Sequence, residues 1–489
     1  MKQWRVILGP PGTGKTYTLL GIVEELLAKG VPPDAIGYLA FTKRAATEAI
    51  DRAMQKHHYK AAELPYFRTI HSLCFRQLGL NRGRVMGQKE FKEFSELLGI
   101  RITGRWTLEE GGVFNMQAGD RMLFMENLAR TQGTSLRELY DSGDDDIPWS
   151  KVDLFSRALK QFKDGRGLYD YTDMLFRFLA VGTCPRLHTL IVDEGQDLSR
   201  GQWQVILKLA EYADNIIVAG DDDQAIFRWA GADVNYFMDL PGTYKVLAQS
   251  YRVPRRVQAV ADKIVQRLSR RRTKRWRSRS EQGEVHFLGG YTQTDYSKGT
   301  HLVLARNAYM LQSVAEHMQR EGIVYEHHGK SSVDGQLIDD IKLFEAMRKG
   351  GTCTRADAER LAKRIANADL PVAASGAGST LTLQECGFQD VIWHDAFTGV
   401  SITVRESLLA ALRRGEKLVG PPRVKLSTIH GAKGGQAETV TVLTDMAPRT
   451  FEEMHKFPDD EQRVFYVAVT RARDTLNIVR PETSRSFTI

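Results

Sequence analysis

The sequence predicts two α/β domains built on parallel sheets, each interrupted by a mostly helical insertion. Short apolar strands alternate with helical stretches in two separate blocks, the pattern of parallel strands joined by crossover helices. Each block is broken by a long polar, helical stretch. A chain of 489 residues has room for several cores. In the first block the strands are Arg5–Leu8, Ile36–Phe41, Thr189–Val192, Ile216–Ala219 and Tyr244–Leu247. In the second they are Val285–Leu288, His301–Leu304, Val424–Ser427, Thr439–Leu443 and Leu476–Val479.

The interruptions set the boundaries. Residues 78–168 read as a helical insertion, with a loop at Ser142–Pro148 that contains Asp144, Asp145 and Asp146. Residues 348–422 read as a second, helical over Arg355–Ile365 and Val404–Arg414, with a small-residue middle at Ala373–Thr380. The first α/β domain is then 1–77 plus 169–255, and the second 256–347 plus 423–489. Insertions of this length usually carry function or become subdomains.

Composition narrows the class. Hydrophobic residues make up 42% and charged residues 26%, as in a soluble globular protein. No apolar run approaches the roughly 18 residues that span a bilayer. Met1–Leu8 reads as a strand, not a signal peptide. A cytosolic location with no membrane partner is expected. Cys74, Cys184, Cys353 and Cys386 are scattered without a CxxC pair, so free buried thiols are expected, not a metal cluster. Net charge is +8, and the eight Lys and Arg residues between Arg267 and Arg279 equal all of it. Any nucleic-acid site must therefore be a local groove. The run itself reads as a solvated face or as a contact to nucleic-acid backbone. The contact is slightly favoured, with Trp276 as a stacking candidate.

Gly9-Pro10-Pro11-Gly12-Thr13-Gly14-Lys15-Thr16 matches G-x-x-x-x-G-K-[ST] between a predicted strand and a helix predicted over Lys15–Lys29. Glycines let backbone N–H groups wrap phosphates, and the helix N-terminus adds its positive dipole end. Lys15 is expected to reach the terminal phosphates of ATP, and the Thr16 hydroxyl to bind Mg²⁺. Farther on, an apolar strand ends in Asp193 and Glu194. Asp193 is expected to hold Mg²⁺ through water, and Glu194 to orient and deprotonate the attacking water. An exposed acidic strand end is the plain alternative, weaker in a chain with this loop. Adenylate-type kinases and AAA+ ATPases also have such loops, so these two motifs alone do not name the reaction.

The remaining motifs do. Residues Ala40 to Ala46, Thr69 to Leu73, Gly220 to Ala232, Gln249 to Arg252, Thr428 to Gly434 and Glu461 to Ala472 resemble, in order, the motifs of the UvrD/Rep/PcrA group of superfamily 1 DNA helicases. The closest local match is Gly220-Asp221-Asp222-Asp223-Gln224-Ala225-Ile226-Phe227-Arg228-Trp229. The resemblance implies two RecA-like motor domains, and an ATP-driven motor on single-stranded DNA and single/double-strand junctions, travelling 3′→5′. It implies that Gln224 senses the γ-phosphate, that Arg252 and Arg471 act as arginine fingers and that Tyr251 stacks on adenine. On DNA it implies contacts from Phe41, Thr42, Thr69, His71, Phe227, Trp229 and His430. Ordinary core packing competes for Phe41 and Phe227, and a structural role for the two histidines.

Three departures stand out. A Gln motif well upstream of the loop is replaced at best by Gln3, so adenine recognition is expected to differ. Tyr17 stands where the group often has Arg, and a Tyr17–Tyr251 sandwich of adenine follows as a hypothesis. Gln436 stands where the group has Glu, so a weaker hold on ribose is expected. The second insertion is short, about 75 residues by the boundaries above, which resembles compact phage and small bacterial members. No fused nuclease domain is expected. Two other readings stay open: a translocase that strips bound proteins with little unwinding, and a regulatory P-loop ATPase with slow turnover.

Overall fold

The computed structural model describes residues 3–57, 59–104, 116–143, 145–366 and 380–489. Asp144 and residues 373–379 of the small-residue stretch lie outside the described residues.

Two parallel sheets form the framework. The first holds β1 (Gln3–Leu8), β2 (Ile36–Ala40), β3 (Phe67–Thr69), β4 (Leu187–Val192), β5 (Ala213–Gly220) and β6 (Thr243–Val246), in the order β3-β2-β4-β5-β1-β6. All its pairings are parallel. The second holds β7 (Glu284–Leu288), β8 (His301–Ala305), β9 (Tyr325–His327), β10 (Lys330–Ser331), β11 (Val424–Thr428), β12 (Ala437–Leu443) and β13 (Ala472–Val479). Its order is β10-β9-β11-β8-β12-β13-β7, antiparallel only between β9 and β10.

All ten predicted strands are present. The three unpredicted ones, β3, β9 and β10, are two or three residues long and lie toward the sheet edges. They are too short to show an alternating pattern. β2 stops at Ala40, so Phe41 turns out of the sheet. Central strands turn apolar toward their carboxyl ends, where both faces are buried; in β4, Leu190, Ile191 and Val192 have no exposed surface.

The first insertion packs the helices Gln88–Leu98, Ala118–Gln132 and Trp149–Arg166 around Phe94, Leu123, Phe155 and Leu159. The second gathers Arg355–Arg364, Trp393–Ala396 and Ile402–Arg413 around Phe388, Phe397 and Leu408. Gly335–Arg348 joins that core through Leu337, Ile338, Phe344 and Met347. Among the described residues no helix is long and apolar enough to cross a membrane. All four cysteines are free, and Cys184 alone is not fully buried.

Parallel pairing puts every carboxyl end of the first sheet on one edge, where open α/β sheets bind ligands. Leu8 is in register with Gly220 and Val246. The loops that follow β1, β5 and β6 therefore leave the sheet at one level. One core cluster joins Ile226, Phe227, Ala232 and Val253 of the first unit to Leu304, Ile429 and Phe465 of the second.

Candidate active site

The loop Gly9–Thr16 leaves β1 and feeds the helix Lys15–Ala28. Gly12 and Gly14 have φ of 72° and 77°, the left-handed region that favours glycine. Gly12 also admits no side chain: a Cβ there would lie 2.4 Å from Arg252 Cβ and 2.9 Å from Ser250 Oγ. Thr13 Oγ1 donates to Pro10 O at 2.8 Å, closing the loop on itself. Pro11 O accepts from Ser250 Oγ at 2.8 Å, and Gly12 O accepts from Tyr251 N–H at 2.8 Å. The loop is a glycine-lined cradle ending on a helix N-terminus, which suits a phosphate chain.

Lys15 Nζ donates to Gly9 O at 3.0 Å and stands 3.9 Å from Glu194. Thr16 Oγ1 donates to Asp193 Oδ2 at 3.1 Å, which Tyr38 OH also reaches at 3.2 Å. A hydroxyl and a carboxylate this close are the hard oxygen donors that Mg²⁺ takes. Burial first, then Glu194, pushes Asp193 up to about 6. Burial opposes ionisation of Glu194 too, but Lys15 and Lys433 outweigh it and hold that carboxyl below its ordinary value. Glu194 has φ 54°, a non-glycine residue in the left-handed region. Such strain persists where surroundings over-determine it.

A chain of hydrogen bonds runs from Glu194 across the cleft. Gln196 Nε2 donates to Glu194 Oε2 at 2.6 Å, and Gln196 Oε1 accepts from Asp221 N–H at 2.9 Å. Gln224 Nε2 donates to Asp221 Oδ2 at 2.7 Å, and Gln224 Oε1 accepts from Arg471 Nη2 at 2.8 Å. Arg471 is 2% exposed; burial, then Arg252, lowers it to about 9. Burial lowers Arg252 to about 10, and its Nε donates to Gln436 Oε1 at 2.7 Å. Lys15, Thr16, Asp193, Glu194, Gln224, Arg252, Arg471 and Gln436 thus line one cleft. Tyr17 and Tyr251 border it with 70% and 74% exposure. Tyr17 lies under the Arg52 guanidinium, 4.6 Å from the ring centre.

Beside the cleft lies a row of rings. Phe41 stacks on Phe227 at 5.8 Å with 22° between planes. Phe227 is 6.2 Å from His430, which meets Trp229 edge-on at 6.3 Å. The Trp229 Nε1 and His430 Nδ1 atoms are buried without a hydrogen-bond partner among the described residues. Burial drives His430 well below its ordinary value, so it stays neutral. His71 is separate from this row and stands edge-on to the exposed Tyr171 at 5.6 Å. Thr69 caps the next helix by accepting from Ser72 N–H at 3.3 Å, and the exposed Thr42 accepts from Ala45 N–H at 3.2 Å.

The family described as UvrD/REP helicase N-terminal domain matches residues 1–245, half of the 489-residue chain, and UvrD-like helicase C-terminal domain matches 400–482. The chain belongs to the UvrD/Rep helicase family. The ATP-dependent DNA helicase PcrA of Bacillus subtilis is 24% identical over 399 residues, covering 69% of this chain and 50% of that protein. PcrA of Staphylococcus aureus is 23% identical over 344 residues, covering 66% and 44%. The chain spans about half the length of the curated relatives it matches. A solved Arterivirus nonstructural protein 10 helicase aligns with a TM-score of 0.34 and 11% identity, over 98% of this chain and 59% of that one.

Within this family framework, four residues that sequence reading passed over belong to the site. Gln196 and Asp197 sit just past the acidic pair. Lys433 donates to both Asp197 oxygens at 2.6 Å and to Gln224 O at 2.7 Å, and lies 4.8 Å over the Phe227 ring. Its sequence signal was its place in the Thr428–Gly434 motif, to which no role for the lysine was attached. Phe124 extends the ring row from the first insertion, stacking on Trp229 at 5.9 Å; nothing in its helical setting marks it.

The basic run departs from its favoured reading. Arg270 pairs with Asp239, Arg271 with Asp223, Lys274 with Asp221, Asp222 and Asp223, and Arg279 with Asp474. Arg272 lies 3.6 Å from the Tyr244 ring centre, and Trp276 packs against the core shared by the two units. Arg275 and Arg277 are exposed without an ion pair among the described residues. Four of the eight basic residues thus neutralise carboxylates of this chain, which leaves Arg267, Arg272, Arg275 and Arg277 for any contact to a nucleic-acid backbone.

Proposed function

We propose that this chain is an ATP-driven motor that moves 3′→5′ along single-stranded DNA and unwinds duplex at a junction. The observation that carries the reading is the relay Glu194–Gln196–Asp221–Gln224–Arg471, which spans the cleft and lies against the ring row through Lys433. Residues 1–77 plus 169–255 and 256–347 plus 423–489 act as the two motor domains, with 78–168 and 348–422 inserted.

The glycine cradle holds the phosphates of ATP, with Lys15 at their terminal end. Thr16 and Asp193 would hold Mg²⁺, which supplies charge neutralisation to the phosphoryl oxygens. Glu194 takes the proton of the attacking water, and Lys15 and Lys433 keep it ionised for that task. Gln224 reports the terminal phosphate, and Arg252 and Arg471 meet the developing charge. Tyr17 and Tyr251 flank the base, a reading supported by their exposure at the border of the cleft. Phe41, Phe227, Trp229 and His430 stack on DNA bases, and His71, Thr69 and Thr42 line the strand's path. Stacking tolerates any sequence, as a motor requires. The PcrA relatives are named ATP-dependent DNA helicases, which supports DNA as the track.

The test is strand displacement on matched duplexes with a 3′ or a 5′ single-stranded tail, with Glu194→Gln as inactive control. Unwinding from the 3′ tail alone is expected. Unwinding from the 5′ tail reverses the polarity. ATP hydrolysis stimulated by single strands without displacement replaces the helicase by a translocase.

A further inference from the structure

The segment after the helix Arg255–Val265 takes no part in the chemistry above, yet it is the most densely charged in the chain. It is pinned at two places. Arg277 donates its N–H to Ala248 O at 2.7 Å and accepts from Ser250 N–H at 2.8 Å, immediately before Tyr251 and Arg252. Arg272 N–H donates to Asp222 Oδ2 at 2.8 Å, on the loop that carries Gln224. Between the pins Lys274 turns inward. Its side chain has no exposure, and its ammonium lies 3.1, 2.5 and 3.0 Å from the carboxylates of Asp221, Asp222 and Asp223. Arg271 adds a two-pronged contact to Asp223, at 2.9 and 2.5 Å.

Three adjacent buried carboxylates repel one another and cannot all ionise without a cation among them. Asp221 matters most to the cleft, because it accepts from Gln224 Nε2 while its own N–H meets Gln196. Burial opposes its ionisation, but Lys274 and Lys15 outweigh that and hold it below the ordinary carboxylate value. An ionised carboxylate only accepts. It therefore fixes the Gln224 amide with its N–H₂ toward Asp221 and its oxygen toward Arg471. A protonated Asp221 can also donate, and the sense of the amide then rests on Arg471 alone.

We infer that Lys274 is a positioning residue for ATP hydrolysis: it reaches from the basic strap to keep Asp221 a pure acceptor, and through Asp221 it orients Gln224 toward Arg471. The inference rests on reading this cleft as an ATPase site. The Arg277 pin lies beside Arg252, so one segment braces both the Gln224 loop and the Arg252 loop.

The experiment is steady-state ATP hydrolysis, with and without a single-stranded oligonucleotide, for the full chain and its variants. Lys274→Met is expected to lower kcat about tenfold or more while KM for ATP stays within about threefold. Lys274→Arg is expected to recover most of the loss. In a Gln224→Ala background, Lys274→Met is expected to cost nothing further, since both act through one side chain. Full additivity in the double variant, or a loss confined to KM, overturns the inference. If thermal melting shows that Lys274→Met does not fold, Lys274→Met/Asp222→Asn restores the charge balance. Its kcat is still expected to be low, and a wild-type kcat overturns the inference. Wild-type hydrolysis that the oligonucleotide does not stimulate sinks the motor reading alone, because the Lys274 comparison is then read on basal turnover.

Discussion

Replacing Arg471 by Lys keeps a positive charge in the cleft but removes the flat fork. Arg471 makes three hydrogen bonds: Nε to Val467 O at 3.0 Å, Nη1 to Gly435 O at 3.3 Å and Nη2 to Gln224 Oε1 at 2.8 Å. An ammonium on a shorter stem replaces at most one of them. Loss of the charged bond to Gln224 alone costs about 1.5–3 kcal/mol. If that bond reaches full strength only in the transition state, the rate falls roughly 10–150-fold. A guanidinium that also meets the transferring phosphoryl group is worth roughly 10³–10⁵. The assay is single-turnover and steady-state ATP hydrolysis at saturating single-stranded DNA, with nucleotide affinity measured separately by a fluorescent analogue. kcat is expected to fall at least roughly tenfold with affinity kept within a few-fold. A fall near 10² assigns Arg471 to the relay, and one above about 10³ adds direct contact with the phosphoryl group. A rise in KM with kcat intact refutes the placement of Arg471 in the hydrolytic cleft.

Other perturbations separate the remaining parts. Glu194→Gln keeps an acceptor for Gln196 but not the base, so hydrolysis is expected to drop about 10²–10⁴-fold while ATP still binds; near-normal turnover in a quenched-flow assay would remove Glu194 from its role. Trp229→Ala is expected to weaken single-stranded DNA binding by about 1–3 kcal/mol, read by anisotropy with oligonucleotides of differing sequence. An effect restricted to one base would contradict stacking. Gly12→Ala brings a Cβ to 2.4 Å from Arg252 Cβ at φ 72°, so loss of nucleotide binding is expected, checked by equilibrium titration. His71 is lowered to about 4, chiefly by burial. The unfolded chain then takes up this proton first as pH falls through 6.5, so the stability that neutral His71 allows is full above that pH and declines toward 4. An imidazole titrating near 6.5 by NMR in the folded chain is incompatible with that.

Strands and loop chemistry were legible because they obey local rules. β4 ends in the apolar run Leu190-Ile191-Val192, and Gly9–Thr16 has glycines where the backbone turns left-handed. Phe41, Phe227 and Trp229 were legible only through their motif settings, since nothing local distinguishes a stacking ring from a core ring. Phe227 shows why: it is 5% exposed and packs in the shared core, yet it faces Phe41 ring to ring. The fate of the basic run was not legible at all. Its partners Asp221, Asp222 and Asp223 lie about fifty residues earlier, and pairing over that distance leaves no trace in composition. Phe124 was hidden for the same reason, because its partner Trp229 belongs to another subdomain.

The position of Lys433 gives the proposed motor a physical route between its two ligands. Its ammonium meets Asp197, whose other neighbour is Gln196, the side chain that also holds Glu194. The same ammonium lies over the Phe227 face, opposite in role to a base that would stack in that row. Burial, with Glu194 close by, raises Asp197 to about 6, so its charge depends on the Lys433 contact. In the proposed motor, a base inserted on that face of Phe227 would displace or re-aim Lys433, and such a movement would change the charge felt at Asp197, Gln196 and Glu194. Coupling of this kind needs no long wire: four successive contacts, Phe227–Lys433–Asp197–Gln196–Glu194, join the ring row to the proposed general base.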